Sequence, residues 1–451
     1  MKKYNYFSQI FSCFLMLFLL ETATPVLANQ DNTTQILFAK YDQFKEQTIT
    51  HRRFKHKDIV PLIQALPFEK QVVGQSFEGR DIYQIKLGTG KIKILLWSQM
   101  HGDEATATMA LFDIFRFFQA KNDEFDEFRQ EILAHCTLYF VPMLNPDGAE
   151  RFQRRTATEI DMNRDALRLQ TPEGVLLKHL RDSLTPDFAF NLHDQGTRTS
   201  AGNRPNQATI SFLATAYNMA RDWNKTRKRS MQVICQMNTI LQQFIPNQVA
   251  KYDDEHEPRA FGDNIQKWGS SLILIESGGY KDDREKQFIR KLNFVALLSA
   301  FKGISDKSYR KNKLKDYRKI PENASFLFDL LIRNVQFEEN GKTLIKDIGI
   351  NLNERNVDNA THFVLDSRVD DLGDLSTFWG LQELDAKGLM VRFPKDFPKD
   401  FPKNVVNKDS SVKESQNEML RRGDEATFIL TQNEQIKYFV IKGILKKQAE
   451  Y

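Results

Sequence analysis

The sequence predicts an α/β fold followed by a smaller, mostly β unit, and three observations carry that prediction. From about residue 60 to 300, apolar runs of strand length alternate with longer segments of helical spacing, the pattern of a sheet covered by helices. Several of those runs end in polar residues able to do chemistry, which is where open α/β sheets place their sites. From Phe326 the texture changes to closely spaced β-like runs.

The first element reads as a secretory signal peptide, residues 1–28. Lys2 and Lys3 form a charged start, Ile10 to Leu20 is apolar but for Ser12, and Val26-Leu27-Ala28 offers a small-residue cleavage site before Asn29. The run is too short to span a bilayer. Glu21 and Pro25 close it, against an uncleaved anchor, and Cys13 lies inside it rather than at a junction, against a lipoprotein. An exported protein, periplasmic or secreted, with no stable membrane anchor after cleavage, is expected.

Ile92 to Trp97 reads as a buried strand, and Ala105 to Phe118 as a helix with apolar spacing at Met109, Leu111, Phe112, Phe115 and Phe118. Cys136 to Met143 is a second strand. Asn145-Pro146-Asp147-Gly148 reads as a turn in which Pro sets φ and Gly accepts φ > 0. Phe188 to Leu192 and Leu272 to Ile275 are further strands, Met231 to Phe244 a helix, and Asp283 to Phe301 the last helix of this unit. The basic stretch from Asp306 to Lys319 reads as a linker or solvated face. Beyond it come short β runs at Leu330–Ile332, Val335–Phe337, Leu344–Ile345, Ile348–Ile350, Phe363–Leu365, Phe428–Leu430 and Tyr438–Ile441, with a hairpin turn at Asn340-Gly341. The tandem FPKD, FPKD, FPKN between Phe393 and Asn404 blocks helix and, with Asn407 to Glu418, reads as an exposed loop over 393–418. The organisation expected is a leader at 1–28, a catalytic unit at 29–320 and a β-rich unit at 321–451.

The 451 residues carry 64 Lys and Arg against 59 Asp and Glu, a net +5 too mild and too evenly spread to argue for nucleic acid. The 41% hydrophobic content supports a sizeable core. Cys136 and Cys235, the cysteines outside the leader, read as buried apolar fillers, one disulfide being permitted in an oxidising compartment. Nothing in the pattern sets an oligomeric state.

The chemistry concentrates at strand ends. His101 and Glu104 sit three residues apart where a strand turns into a helix, so both can face one metal ion from a rigid base. Alone, the motif is better read as a helix N-terminus with the acidic residues Asp103 and Glu104 near its positive end. Downstream follow the Asn-Pro-Asp-Gly turn, the arginines Arg151, Arg154 and Arg155, then Asp161-Met162-Asn163-Arg164-Asp165, the strand-ending His193-Asp194 and the strand-ending Glu276-Ser277-Gly278-Gly279. Singly these are a turn, a solvated basic face and capped strand ends; it is their joint order that carries information.

That order resembles the zinc metallocarboxypeptidase family of the carboxypeptidase A type, over roughly residues 60 to 300. The resemblance implies a mixed open sheet with helices on both faces and one zinc per chain held by His101, Glu104 and His193. It implies Glu276 as general base, Arg154 (or Arg155) as the cation that polarises the scissile carbonyl, and Asn163 with Arg164 as the pair holding the substrate's terminal carboxylate. Asp161 is implied as the acceptor behind a ligating histidine. Tyr252 lies in the interval of the family's capping tyrosine without a motif to anchor it. Two features depart from the pattern. Asp165 follows Arg164 where pancreatic-type members carry Asn, and its charge is expected to weaken binding of a plain carboxylate and favour a substrate with a nearby amine. Gly262, before Asp263 near the presumed pocket floor, gives no specificity signal.

The function expected is a zinc metallocarboxypeptidase acting on the C-terminal bond of a peptide, whether scavenged, dietary or from the cell wall. The alternative enzyme reading is a zinc amidohydrolase acting on acylated amino acids or cell-wall stem peptides. A third reading is a non-catalytic binding protein on the same fold. The β-rich unit is expected to carry no catalytic residue.

Overall fold

The computed structural model describes residues 25–393 and 419–448. The leader, apart from its last four residues, and the FPKD loop beyond Phe393 lie outside the described residues. The first unit is an eight-stranded mixed sheet: β1 (Glu69–Gln75), β2 (Asp81–Leu87), β3 (Ile92–Ser98), β4 (Cys136–Val141), β5 (Phe188–Asp194), β7 (Ile210–Leu213), β8 (Val249–Lys251) and β9 (Ser271–Ser277), with the short β6 (Ser200–Ala201) beside it. The spatial order is β1-β2-β4-β3-β5-β9-β7-β8. The inner strands β4, β3, β5 and β9 run parallel, while β1, β2 and β7 pair antiparallel with their inward neighbours.

Alternation divides the sheet's side chains between two cores. Ile94 and Leu96 face one layer, with the helices Thr106–Gln119, Lys225–Leu241 and Gln287–Ser305. Leu95 and Trp97 face the other, with the helices Pro172–Leu184 and Phe261–Lys267. Helix Thr106–Gln119 is buried on nearly every face because it is sandwiched between the sheet and Gln287–Ser305. Its Asp113 is therefore fully buried and must be satisfied internally. It is paired with the equally buried Arg290 and accepts from Tyr41 Oη and Glu46 N, both at 2.7 Å. This tetrad ties the N-terminal segment to the two central helices.

Chain order places the site. The crossover from β3 runs to β4 on one side, and the next crossover lands at β5 on the other. The order reverses around β3, and crevices form at the C-terminal ends of strands at such a switch point. β3, β5 and β9 are neighbours, and His193 stands directly opposite Glu276 in the register.

The second sheet contains β11 (Leu327–Glu339), β12 (Lys342–Val357), β13 (His362–Gly373), β14 (Trp379–Asp385), β15 (Met390–Arg392), β16 (Phe428–Gln432), β17 (Gln435–Ile441) and β18 (Ile444–Lys447); β10 (Asn323–Ala324) pairs instead with β6. The short runs read from the sequence are here segments of long strands. A register shift between Ile332 and Val335, with Asn334 at φ +58°, bends β11 and separates its two apolar stretches. Asn340 and Gly341, at φ +50° and +71°, make the expected hairpin turn.

Three expectations are corrected. The last helix of the first unit begins at Gln287, not Asp283, because Asp283 lies outside it and accepts from the Gln287, Phe288 and Ile289 amides. The basic stretch 306–319 is no plain linker. It forms a 3-10 helix, Ser308–Lys311, and a short α-helix, Leu314–Lys319, whose Tyr309 and Tyr317 are buried, with Tyr317 Oη accepting from Ala214 N. The Asn-Pro-Asp-Gly segment is a helix start rather than a turn: Asn145 caps helix Pro146–Arg151, accepting from Gly148 N at 2.9 Å. Gly148 is not at positive φ. It is glycine for space, since a Cβ there would lie 2.5 Å from Asn145 Nδ2 and 2.8 Å from Arg155 O. Cys136 and Cys235 are both buried and free.

Candidate active site

The loop after β3 carries the first two donors. It leaves the strand through Gln99, held at φ +46° with its amide donating to Gly102 O. Gly102 is packed main chain to main chain against the next motif: a Cβ on it would lie 2.0 Å from Gly148 C. Asn145 hooks the two segments together from the other side, its amide donating to Met100 O and its backbone N–H to Gln99 O. Asp147, fully buried, accepts from Ser76 Oγ, Glu78 N and Arg80 Nη1, and so anchors the β1–β2 turn to the same corner.

His101, Glu104 and His193 converge there, all buried, with their candidate donor atoms within 4.8 Å of one another. His101 Nδ1 is 2.7 Å from Glu104 Oε1, and His193 Nδ1 is 2.5 Å from Glu104 Oε2. His101 Nε2 is 3.1 Å from Asp161 Oδ1, so Asp161 fixes the ring and turns Nδ1 toward the cluster. Two imidazoles and a carboxylate, with a carboxylate behind one imidazole, are a donor set suited to zinc with one open position.

The electrostatics follow from crowding. Burial alone would make the Glu104 carboxylate a weaker acid, but the two imidazoles outweigh it and hold its pKa well below the usual range. Burial likewise opposes charge on His101, yet Glu104 and Asp161 push its pKa up to about 9. His193, wholly buried, is pulled down. Glu276 lies across the same cavity, and burial together with the Glu104 charge lifts its carboxyl well above the ordinary carboxylate range.

Arg154, Asn163, Arg164 and Tyr252 line the same cavity of about 810 Å³. Arg154 reaches inward, with Nη1 3.4 Å from Glu104 Oε1 and Nε donating to Asp161 Oδ2 at 3.1 Å. Arg155 instead points away and donates to Glu159 O. Asn163 accepts from Phe261 N at 3.0 Å and is held at the cavity wall. Arg164 donates to Asn163 O and pairs with Glu257 at 3.2 Å. Tyr252 stands at the mouth, 41% exposed.

Asp165 does not meet its expectation. It is turned inward and buried, accepting from Gln170 N, Thr171 N and Thr171 Oγ1. The carboxylate that does face Arg164 is Glu257, which no motif marked. The sequence pattern also left unmarked Asn191, two positions before His193 and hence on the same strand face, and His256, which pairs with Asp263 at 3.3 Å. The period of the strand was the available signal for Asn191. Asn323, Ala324 and Ser325, at the start of the expected second unit, are also in the cavity wall.

An open mixed sheet thus carries, after β3 and at the end of β5, a two-histidine, one-glutamate cluster that could hold one metal ion. Residues 67–244 match the family model described as zinc carboxypeptidase. The match contains His101, Glu104, Arg154, Asp161, Asn163, Arg164 and His193; Tyr252, Asp263 and Glu276 lie beyond it. Carboxypeptidase 2 of Trichophyton rubrum is 27% identical over 104 residues, 23% of this chain and 19% of that protein. The Trichophyton tonsurans counterpart is 26% identical over 109 residues, 24% and 20% respectively. The chain thus spans about a fifth of the length of the curated relatives it matches. Among solved structures, a metallo-carboxypeptidase from Burkholderia cenocepacia aligns at 16% identity and TM-score 0.45, covering 56% of this chain and 69% of the other. No helix among the described residues is long and apolar enough to cross a membrane.

Proposed function

We propose that the chain is a zinc-dependent carboxypeptidase that removes the C-terminal residue of a peptide. The observation that carries the proposal is one cavity lined by the His101–Glu104–His193 cluster, by Glu276 opposite it, and by the guanidiniums of Arg154 and Arg164. One zinc per chain, held by the three clustered residues, would supply a water of lowered pKa and a polarised carbonyl.

The chain's own residues do the rest. Glu276 takes a proton from the attacking water as its oxygen bonds to the scissile carbonyl carbon, then gives that proton to the nitrogen as the C–N bond breaks. Its place in the wall of the cavity that holds the cluster suits both transfers. Arg154, oriented by Asp161, stabilises the negative charge that develops on the carbonyl oxygen. The planar fork of Arg164 and the Asn163 amide bind the terminal carboxylate. Tyr252 at the mouth closes over the bound residue. Asp161 keeps the His101 imidazole in one orientation, so little reorganisation of that ring accompanies the reaction. We read residues 29–320 as the catalytic unit and 321–451 as an accessory β-rich unit, and the leader at 1–28 as directing export to the periplasm or beyond.

The test is mass spectrometry of peptides, muropeptides and N-acylated amino acids incubated with zinc-loaded protein. Trimming of a free-carboxylate peptide by one residue, blocked by amidation of that end, is the expected result. Cleavage of acylated amino acids alone would establish the amidohydrolase reading. Stoichiometric zinc with no turnover of any substrate would leave a binding protein.

A further inference from the structure

Charge that reads as evenly spread along the sequence is gathered by the fold. Residues 306–319 carry seven cations against two carboxylates, an excess equal to the net +5 of the whole chain. All seven, from Lys307 to Lys319, are exposed. The segment is fixed along the flank of helix Lys225–Leu241. The Gln232 side chain donates to Arg310 O and Asn312 O, both at 3.1 Å, and its carbonyl accepts from Asn312 Nδ2 at 3.0 Å. Tyr309 packs edge-on against Phe188, and Arg318 lies over the Trp223 ring, 4.5 Å from its centroid. These contacts set the seven beside Lys225 and Lys228, which are exposed at the start of that helix. Of the two carboxylates, Asp306 pairs with Lys302 of the preceding helix and Asp316 with Lys319. Among the described residues Lys311, Lys313 and Lys315 have no ion-pair partner. Cations so gathered repel one another, a cost that an anionic partner offsets.

An apolar tip borders this face. The turn over residues 218–222 is closed by Asn218, whose carbonyl accepts from Arg221 N at 3.0 Å and whose side chain accepts from Asp222 N at 3.1 Å. It presents Met219, 75% exposed and the most exposed large apolar side chain among the described residues, four positions before Trp223. We propose that the face docks on an anionic phospholipid bilayer, its lysines against the headgroups and Met219 entering the interface. The composition favours lipid over nucleic acid. Seven of the nine exposed cations are Lys, point charges suited to a diffuse negative surface, whereas reading of single phosphates favours the Arg fork. Bases stack on free aromatic faces, and the Trp223 face is already taken by Arg318. A protruding Met gains nothing from a polyanion in water but leaves water at a bilayer.

The test sediments full-length protein with vesicles of phosphatidylcholine alone or with about one third phosphatidylglycerol, at about 0.1 M salt. Lysines are acetylated with and without each vesicle and read by mass spectrometry. Binding to the anionic vesicles should be at least about tenfold tighter than to the neutral ones. They should shield Lys311, Lys313 and Lys315 at least about fivefold and leave the exposed Lys387, beyond the second sheet's β14, unchanged. Replacing those three lysines by Gln should weaken binding about a hundredfold, at about fivefold per cation. Met219→Ser should weaken it at least about fivefold. Equal binding to both vesicles, no shielding of Lys311 to Lys315, or a triple variant that binds like wild type overturns the proposal. Tighter binding to a short DNA duplex, with Met219→Ser without effect, also overturns it and makes the face a nucleic-acid site. The lysine footprint reads this face alone, so an apolar contribution from the leader does not obscure it. It is taken on wild-type protein and remains decisive even if a variant does not fold.

Discussion

Replacing Glu354 by alanine should cost about 2–4 kcal/mol of folding stability, although it lies on β12, far in sequence from the groups it serves. Arg52 and Arg53 are 7% and 2% exposed, and Glu354 accepts from Arg52 Nη2 at 2.6 and 2.7 Å and from Arg53 Nη2 at 2.9 Å. Removing one partner of a buried ion pair commonly costs about 3–5 kcal/mol, because the other charge is stranded away from water. Three features reduce that figure here. The Glu354 side chain is itself 20% exposed, and Arg52 keeps Glu285 at 3.8 Å. Arg53 keeps Asn356 at 3.1 Å and lies over the rings of Phe152 and Phe363, at 4.2 and 4.4 Å from their centroids. Urea unfolding of wild type, Glu354→Ala and Glu354→Gln measures the effect, with the glutamine variant expected to lose about half as much because it can still accept one hydrogen bond. The same residues wall a second cavity that shares Glu104 and Asp194 with the first, so substrate affinity is measured alongside. A loss under about 0.5 kcal/mol for Glu354→Ala would refute the view that this carboxylate holds the β12–β13 hairpin to the segment bearing Arg52 and Arg53.

His193→Ala should abolish stoichiometric zinc by elemental analysis, and full occupancy in both proteins would remove His193 from the donor set. Glu276→Gln should keep its zinc and lose turnover by about 10²- to 10⁴-fold, since an amide cannot take the water's proton. Arg154→Ala should lower kcat by about a hundred- to a thousandfold with a smaller change in KM, and Arg155→Ala should do neither; the reverse pattern would reassign the oxyanion partner. Asp165→Asn should destabilise the fold by about 1–3 kcal/mol, measured by denaturation, because one of its two accepting oxygens becomes a donor facing an N–H. A gain in activity on simple peptides without loss of stability would restore Asp165 to the substrate.

The elements that place the candidate metal cluster were legible because strand ends and their terminal residues are local features. The period of apolar residues sets β3, β5 and β9, and His193 and Glu276 follow directly. What was not legible depends on which way a side chain turns after an irregular segment. Arg154 and Arg155 are adjacent in sequence, and only the path from Phe152, at φ +46°, decides that the first faces Asp161. Asp165 beside Arg164 looked like its neighbour in space, yet the turn ending the Met162–Arg164 segment sends it to cap Thr171. The bend in β11 hid one long strand as two short ones, and the burial of Tyr309 and Tyr317 was masked by the lysines around them. Contacts across hundreds of residues, such as Arg52 with Glu354, have no local signature at all.

Gly102 and Gly148 meet with nothing but main chain between them. In a core built of side chains, an enlarged residue can be accommodated by trimming its neighbour, and paired changes of that kind let a protein drift. Around Gly102 there is no neighbour to trim. The loop bearing His101 and Glu104 is closed to compensated substitution, whereas the wall at Leu213, Thr215 and Asp263 can change one residue at a time. A library randomised over the wall should therefore yield folded variants, while one that includes Gly102 should return chains that fail to fold.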